Sequence, residues 1–271
     1  MADSTAAAQT ATFEVVATTT GSVKGTPVVQ SFKATGEFDA GAKRLHQTIV
    51  SSNFGGNVKV ELTVADDAVF TRSSIFAKLA PGLTDKWLKV PLSSDVADGV
   101  TSAGDPSSLL DLLRGTGATV DDRGATTIDG TEVRHAHTTV TIGQIASTVP
   151  ADRRQQLSRV FNGLPGAAGA SALVESDAPI EIDVYVDGDN HARRLEIAFT
   201  VPSTMPGGSG SVAVKETADF RDIGAPVTIT VPTAADTVDG STLLQDLGRP
   251  TSPSGPSSSG STSSVPTTTR R

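Results

Sequence analysis

The sequence predicts a mainly β fold with few helices, an α+β chain built on one antiparallel sheet. Three observations predict it. Period-2 alternation of apolar and polar residues recurs along most of the chain. The intervals between these runs carry Gly, Asp and Asn in hairpin-like pairs. Helical periodicity is confined to two short stretches.

The elements follow in order. After a disordered start at 1–9, strands are predicted near 11–20 and over VQSFKATGEF at 29–38, where Gln30, Phe32, Ala34, Gly36 and Phe38 share one face. Ser31, Lys33, Thr35 and Glu37 take the other. The next strand is expected at 44–54. NVKVELTV at 57–64 then sets Val58, Val60, Leu62 and Val64 against Lys59, Glu61 and Thr63. Strands near 68–72 and 86–90 follow, the latter opening on the lone Trp87.

DPSSLLDLLRG at 105–115 is predicted helical: Asp105 serves as N-cap, Pro106 opens the first turn, Leu109, Leu110, Leu112 and Leu113 form a packing face, and Gly115 ends it. Strands at 119–127 and 132–141 are joined by Asp129-Gly130. A second helix is read over 151–163, with Leu157, Val160 and Phe161 on one side. The Gly/Ala-rich stretch 163–179 has no period and reads as a mobile loop.

IEIDVYVD at 180–187 and RLEIAFTV at 194–201 then alternate cleanly, with Ile182, Val184, Ile197 and Phe199 on the dry side. STMPGGSGS at 203–211 reads as a flexible hairpin tip. Strands near 211–220 and 227–231 are expected to close the sheet. A single domain over 10–235 precedes a disordered Ser/Thr/Pro-rich tail at 248–271, whose composition cannot offset its ordering entropy.

Composition narrows the function classes. The 271 residues are 37% hydrophobic but only 4% aromatic, so the dry faces are built mostly from small aliphatic side chains. A formal net charge of −8 argues against a nucleic-acid partner, which would need a clustered basic surface. The absence of cysteine excludes disulfides, thiolate ligands, a thiol nucleophile and a lipid-acceptor thiol. The first twelve residues lack the charged and apolar regions of a secretory signal, and no apolar run reaches membrane-spanning length.

Sites of chemistry are few. His135 and His137 form H-x-H on one strand face without a third ligand, and read as ordinary strand histidines. Asp187, Asp189 and Asn190 lack the later glycine and bidentate acid of a calcium loop and read as a hairpin turn. No G-x-S-x-G elbow, phosphate-binding loop or dinucleotide fingerprint is present. The expectation is a non-enzyme with no catalytic residue, no metal and no cofactor. Trp87 reads as a sheet-edge anchor, or as a cavity-rim residue. Arg153 and Arg154 read as a solvated helix face.

Ten or so amphipathic strands expose more apolar area than two short helices can cover, so the sheet must either curl onto its own side chains or enclose a space. The scarcity of large rings favours a space, and an apolar space with no catalytic group suits acyl chains.

The order of motifs adds a resemblance. KWLKVP at 86–91, then DPSSLLDLLRG, DGTEVRHAHTTV at 129–140, EIDVYVDGDNHARRLEIAF at 181–199 and DFRDIGAPVTITVP occur in the succession of the LppX/LprA/LprF/LprG family of actinobacterial cell-envelope lipoproteins. That family is similar in fold to the LolA/LolB carriers. The resemblance spans roughly 10–232 and implies a curved antiparallel half-barrel, LolA-like, with helices over its concave face and a hydrophobic cavity. It implies lipids or acylated glycolipids as ligands, a membrane or envelope transport partner, a monomer, and a place in the cell envelope or outside the cell. The signal peptide and lipidated cysteine of that family are absent from this chain, whose first strand starts near residue 10.

Candidate ligand-binding residues are Phe32, Phe38, Val60, Leu62, Ile182, Val184, Ile197 and Phe199 from the strands, with Leu109 and Leu113 from the helix above them. The loop at 163–179 would be the exit. DIGAPVTITVP would form the sheet's last edge, ended by Pro226 and Pro232. The competing expectation is a surface or signalling module of the same fold with a closed cavity.

Overall fold

A computed structural model describes residues 10–52, 58–79, 81–92, 117–141, 143–144, 178–202 and 210–240. The stretches predicted helical at 105–115 and 151–163, with Leu109, Leu113, Arg153 and Arg154, lie outside the described residues. So do 1–9, most of the loop at 163–179, the tip at 203–209 and the tail.

The described chain is almost all strand: β1 (Thr10–Val23), β2 (Thr26–Asp39), β3 (Arg44–Ser51), β4 (Val58–Ala65), β5 (Ala68–Ser73), β6 (Trp87–Pro91), β7 (Val120–Ile128), β8 (Thr131–Thr141), β9 (Pro179–Asp187), β10 (Ala192–Pro202), β11 (Ser211–Arg221) and β12 (Thr237–Asp239). One short helix, α1 (Ser74–Leu79), continues directly from β5. The strands form one open, curved sheet in the order β12-β6-β5-β4-β3-β2-β1-β11-β10-β9-β8-β7. Among the described residues no helix is long and apolar enough to cross a membrane.

The topology is two meanders joined where the first strand meets the eleventh. β1 pairs antiparallel with β2 along its whole length and with β11 from Thr12↔Arg221 to Thr20↔Ala213. Hairpin turns use the residues that tolerate positive φ: Asp129 and Gly130 take φ values of 48° and 80° between β7 and β8.

The register sorts the side chains onto two faces. Phe13, Phe38, Leu45, Val64, Ala218 and Phe220 form one buried cluster on the apolar face. Val140, Ile180, Ile182, Val184, Val201 and Val212 form another, and Leu195 packs against both. The opposite face carries most of the charges of β1–β6 and β9–β11. There Arg194 Nε donates to Asp219 Oδ1 at 2.6 Å and Arg72 Nε to Glu61 Oε2 at 2.9 Å, each tying neighbouring strands.

The chain's close differs from the sequence reading in two respects. Residues 227–231 belong to no strand, and β11 is not near an edge, since β1 and β10 flank it. The final edge is instead β12, which pairs parallel with β6 as Thr237↔Trp87 to Asp239↔Lys89. Between β11 and β12 the chain is a strap. Gly224 N–H donates to Thr10 O at 2.8 Å at its start, and Lys86 Nζ donates to Ala235 O at 2.8 Å near its end. Pro226 and Pro232 lie within this strap and supply no ladder donor, consistent with a segment that crosses strands rather than pairing with them.

The strap also changes the surroundings expected of Thr63. That residue shares a face with Lys59 and Glu61 as expected, yet it is fully buried, as are Ala65, Ala68 and Phe70 beside it. Val231 of the strap and Trp87 pack against the Ala65–Ala68–Phe70 cluster, so this corner of the polar face has its own small core. Thr63 stays satisfied there through His46 Nδ1 at 2.9 Å. Val231→Ala removes about two methylene equivalents from this contact and is expected to destabilise the fold by about 1 to 1.5 kcal/mol, read as a lower urea midpoint at unchanged slope.

Candidate functional site

The candidate site is the apolar face itself, and ladder register shows what it aligns. Val60, Ile49, Ala34, Val15, Ala218, Leu195, Val184 and Ala136 are successive partners across eight strands. One row further along stand Phe32, Ala17, Glu216, Ile197 and Ile182. Phe199 pairs with Val214 on one side and Ile180 on the other.

All eight strand residues proposed from the sequence fall on this face. Phe38, Ile182 and Val184 are core, only 3%, 2% and 5% exposed. Phe32, Val60, Leu62, Ile197 and Phe199 are half-buried and keep accessible apolar surface. Leu109 and Leu113 lie outside the described residues. Of the half-buried five, Ile197 and Phe199 pack against the Val140–Ile182 cluster and Leu62 against the Phe13–Phe38 cluster.

Glu216 is the residue that sequence reading missed. Its signal was legible: in SVAVKETADFR the dry positions are Val212, Val214, Glu216, Ala218 and Phe220, so strict alternation puts a carboxylate among them. Burial alone pushes this carboxyl above the ordinary glutamate range.

The polar face holds the histidines. His135 and His137 point to one side, as period 2 requires, and both reach Asp183 Oδ1 on β9, at 2.7 Å from Nε2 and 2.9 Å from Nδ1. Burial tends to raise Asp183, but these two hydrogen bonds outweigh it and hold the carboxyl below its usual range. The ring of His135 stacks on Tyr185 at 4.4 Å. The pair thus forms a side-chain lock between β8 and β9.

Trp87 acts as the sheet anchor, in β6 beside the edge strand β12, with the Arg72 guanidinium 4.6 Å from its ring centroid on the polar face. That placement removes it from the rim of the apolar face. Ligand atoms of Asp187, Asp189 and His191 lie within 4.8 Å of one another in the β9–β10 turn. Both Asp187 oxygens are already engaged there, Oδ1 by the N–H groups of Asp189 and His191, and Oδ2 by Arg193 Nε at 2.5 Å. These bonds make Asp187 the hub of a hairpin turn. A depression of about 400 Å³ beside β7 and β8 is lined by polar groups including Asp121, His137 and Gln144, and includes none of the proposed ligand-binding residues.

An open, curved and nearly all-antiparallel sheet with one accessible apolar face is the class of architecture this chain adopts. No family model and no curated protein matches the chain. Among solved structures, the lipoprotein LppX of Mycobacterium tuberculosis is similar at 17% identity and a TM-score of 0.43, over 84% of this chain and 93% of that one. LprF from Mycobacterium bovis is similar at 14% identity and a TM-score of 0.43, over 86% and 94% respectively. A putative outer membrane lipoprotein-sorting protein domain from Vibrio parahaemolyticus shares 5% identity at a TM-score of 0.25, over 79% of this chain and 84% of its own. LppX and LprF are two of the proteins that name the family resembled by the motif order.

Proposed function

We propose that this chain is a non-enzymatic binding or carrier protein for lipids or acylated glycolipids, working as a monomer in the cell envelope of an actinobacterium, outside the plasma membrane. The observation that supports this reading is the set of half-buried apolar side chains, Phe32, Val60, Leu62, Ile197 and Phe199, that share one face of the sheet. Each methylene moved from water onto such a face contributes roughly 0.8 kcal/mol, so one long acyl chain carries on the order of 10 kcal/mol of gross transfer energy. No reacting group is required. The predicted helix at 105–115, bearing Leu109 and Leu113, would cover the chain, and the segment at 163–179 would let it leave. An acceptor membrane or envelope transport partner would take the ligand.

Native mass spectrometry of gently purified full-length protein tests the reading. A co-purifying lipid mass, and saturable uptake of a fluorescent fatty acid into the delipidated protein, are the expected results. A bare protein that takes up no probe would sink the carrier and leave a closed interaction module.

A further inference from the structure

Within β1–β6 and β9–β11 Glu216 stands alone in kind, whereas at the far end of the sheet Arg134 of β8 and Asp122 of β7 share the face of Val184 and Val186 as an exposed ion pair. By ladder register, every other charged residue and histidine in β1–β6 and β9–β11 falls on the polar face, the bulge residue Arg193 apart. Glu216 sits at the midpoint of β11, directly between Ala17 and Ile197, with Val214 and Ala218 beside it on its own strand. It is half-buried and has no hydrogen-bond or ion-pair partner among the described residues. The neighbouring strands β1 and β10 present only Val15, Ala17, Thr19, Leu195, Ile197 and Phe199 to it, none of them charged.

A half-buried carboxyl with no partner among the described residues is costly relative to an apolar residue at the same position. Packing gives no reason for it, because Val or Leu would suit the cluster better. What it adds is an acceptor: a carboxylate has no donor of its own and gains most from a hydroxyl delivered at hydrogen-bond distance inside an apolar surround. Its charge disfavours an anionic group placed directly beside it in the middle of the face. Its mid-strand position, with apolar side chains toward both ends of β11, matches a hydroxyl flanked by hydrocarbon rather than a terminal headgroup.

We propose that Glu216 is the specificity-determining residue of the apolar face, accepting a hydrogen bond from a free hydroxyl in the interior of a neutral, multiply acylated lipid. This inference rests on the carrier reading. The same burial raises the pKa of this carboxyl.

The test presents full-length protein with vesicles holding equal amounts of symmetric dioleoylglycerol, whose one free hydroxyl lies between two chains, and the dioleate of propanediol, which lacks only that hydroxyl. Bound lipid is read by mass spectrometry. The expected loading ratio favours the hydroxylated lipid by about tenfold, corresponding to about 1.4 kcal/mol. Glu216→Ala brings the ratio to about one, and Glu216→Gln, which keeps an acceptor oxygen, preserves a several-fold preference. Glu216→Leu serves as a second apolar variant if the alanine protein does not fold. A ratio near one in the wild type with both lipids loaded, or an unchanged ratio in the apolar variants, overturns the inference while the carrier reading stands. If neither lipid loads, the carrier reading falls and this inference with it.

Discussion

Gly36→Ala lowers the melting temperature by roughly 6 to 12 °C, the equivalent of about 3 kcal/mol or more in a protein of this size. The reason is space. A Cβ at Gly36 would lie 2.2 Å from the backbone oxygen of His46, 2.7 Å from Phe13 Cζ and 2.9 Å from Gln47 Cβ. Two of these are backbone-fixed, so rotating a side chain does not relieve the contact. Gly36 is the register partner of Phe13 on β1 and of Gln47 on β3, and a glycine here lets the Phe13 ring lie over the strand. The added methyl must push β2 from β3 or expel Phe13 from a cluster that includes Phe38 and Phe220. Gly82→Ala is the control, because nothing lies within 4 Å of its new methyl. Thermal melts of the two variants check the claim: equal melting temperatures would show that the sheet absorbs the methyl at Gly36.

The strands were legible because most of their residues obey one rule over long runs. A one-residue slip of β9 or β10 would carry Ile182, Val184, Ile197 and Phe199 to the wrong side, so alternation specifies face as well as element. The same rule pointed to Glu216, which only the expectation of an unbroken apolar face hid. What alternation could not convey is pairing between distant strands. Nothing local in Val212–Phe220 says that its partner is β1, and the hairpin grammar that joins neighbours suggests one meander rather than two. The strap failed for a related reason: APVTITVP has strand-like composition, but its role is decided by the surface it crosses. Ala65 and Ala68 are small enough to let Val231 approach, and that complementarity is tertiary. His135 and His137 show the same limit, since their partner Asp183 is 46 residues or more away in sequence.

Asp187→Ala is expected to destabilise the fold by about 3 kcal/mol, and Asp187→Asn to remove a large part of its acid sensitivity. The Asp187 side chain is only 4% exposed. It holds two backbone N–H groups of the β9–β10 turn and the guanidinium of Arg193, at the bulge where Ala192 still pairs with Val186 but the next in-register residue is Arg194. Truncation frees all three donors at once and leaves a partly buried cation. Burial by itself would raise this carboxyl, but the N–H of His191 and the Arg193 charge outweigh it, so its folded value lies below the ordinary one. A lowered folded value means that the unfolded chain binds the proton first as pH falls. The stabilisation is therefore complete above about pH 4, the unfolded aspartate value, and is lost as pH drops through the folded value. Asp183 and Glu61 follow the same sign, so the wild-type acid slope is a sum. The difference between wild type and Asp187→Asn isolates one carboxyl: urea midpoints measured at pH 7 and at successive steps below pH 4 should converge as pH falls. Parallel curves with a constant gap would mean that Asp187 acts through its shape and hydrogen bonds alone, with its charge contributing nothing.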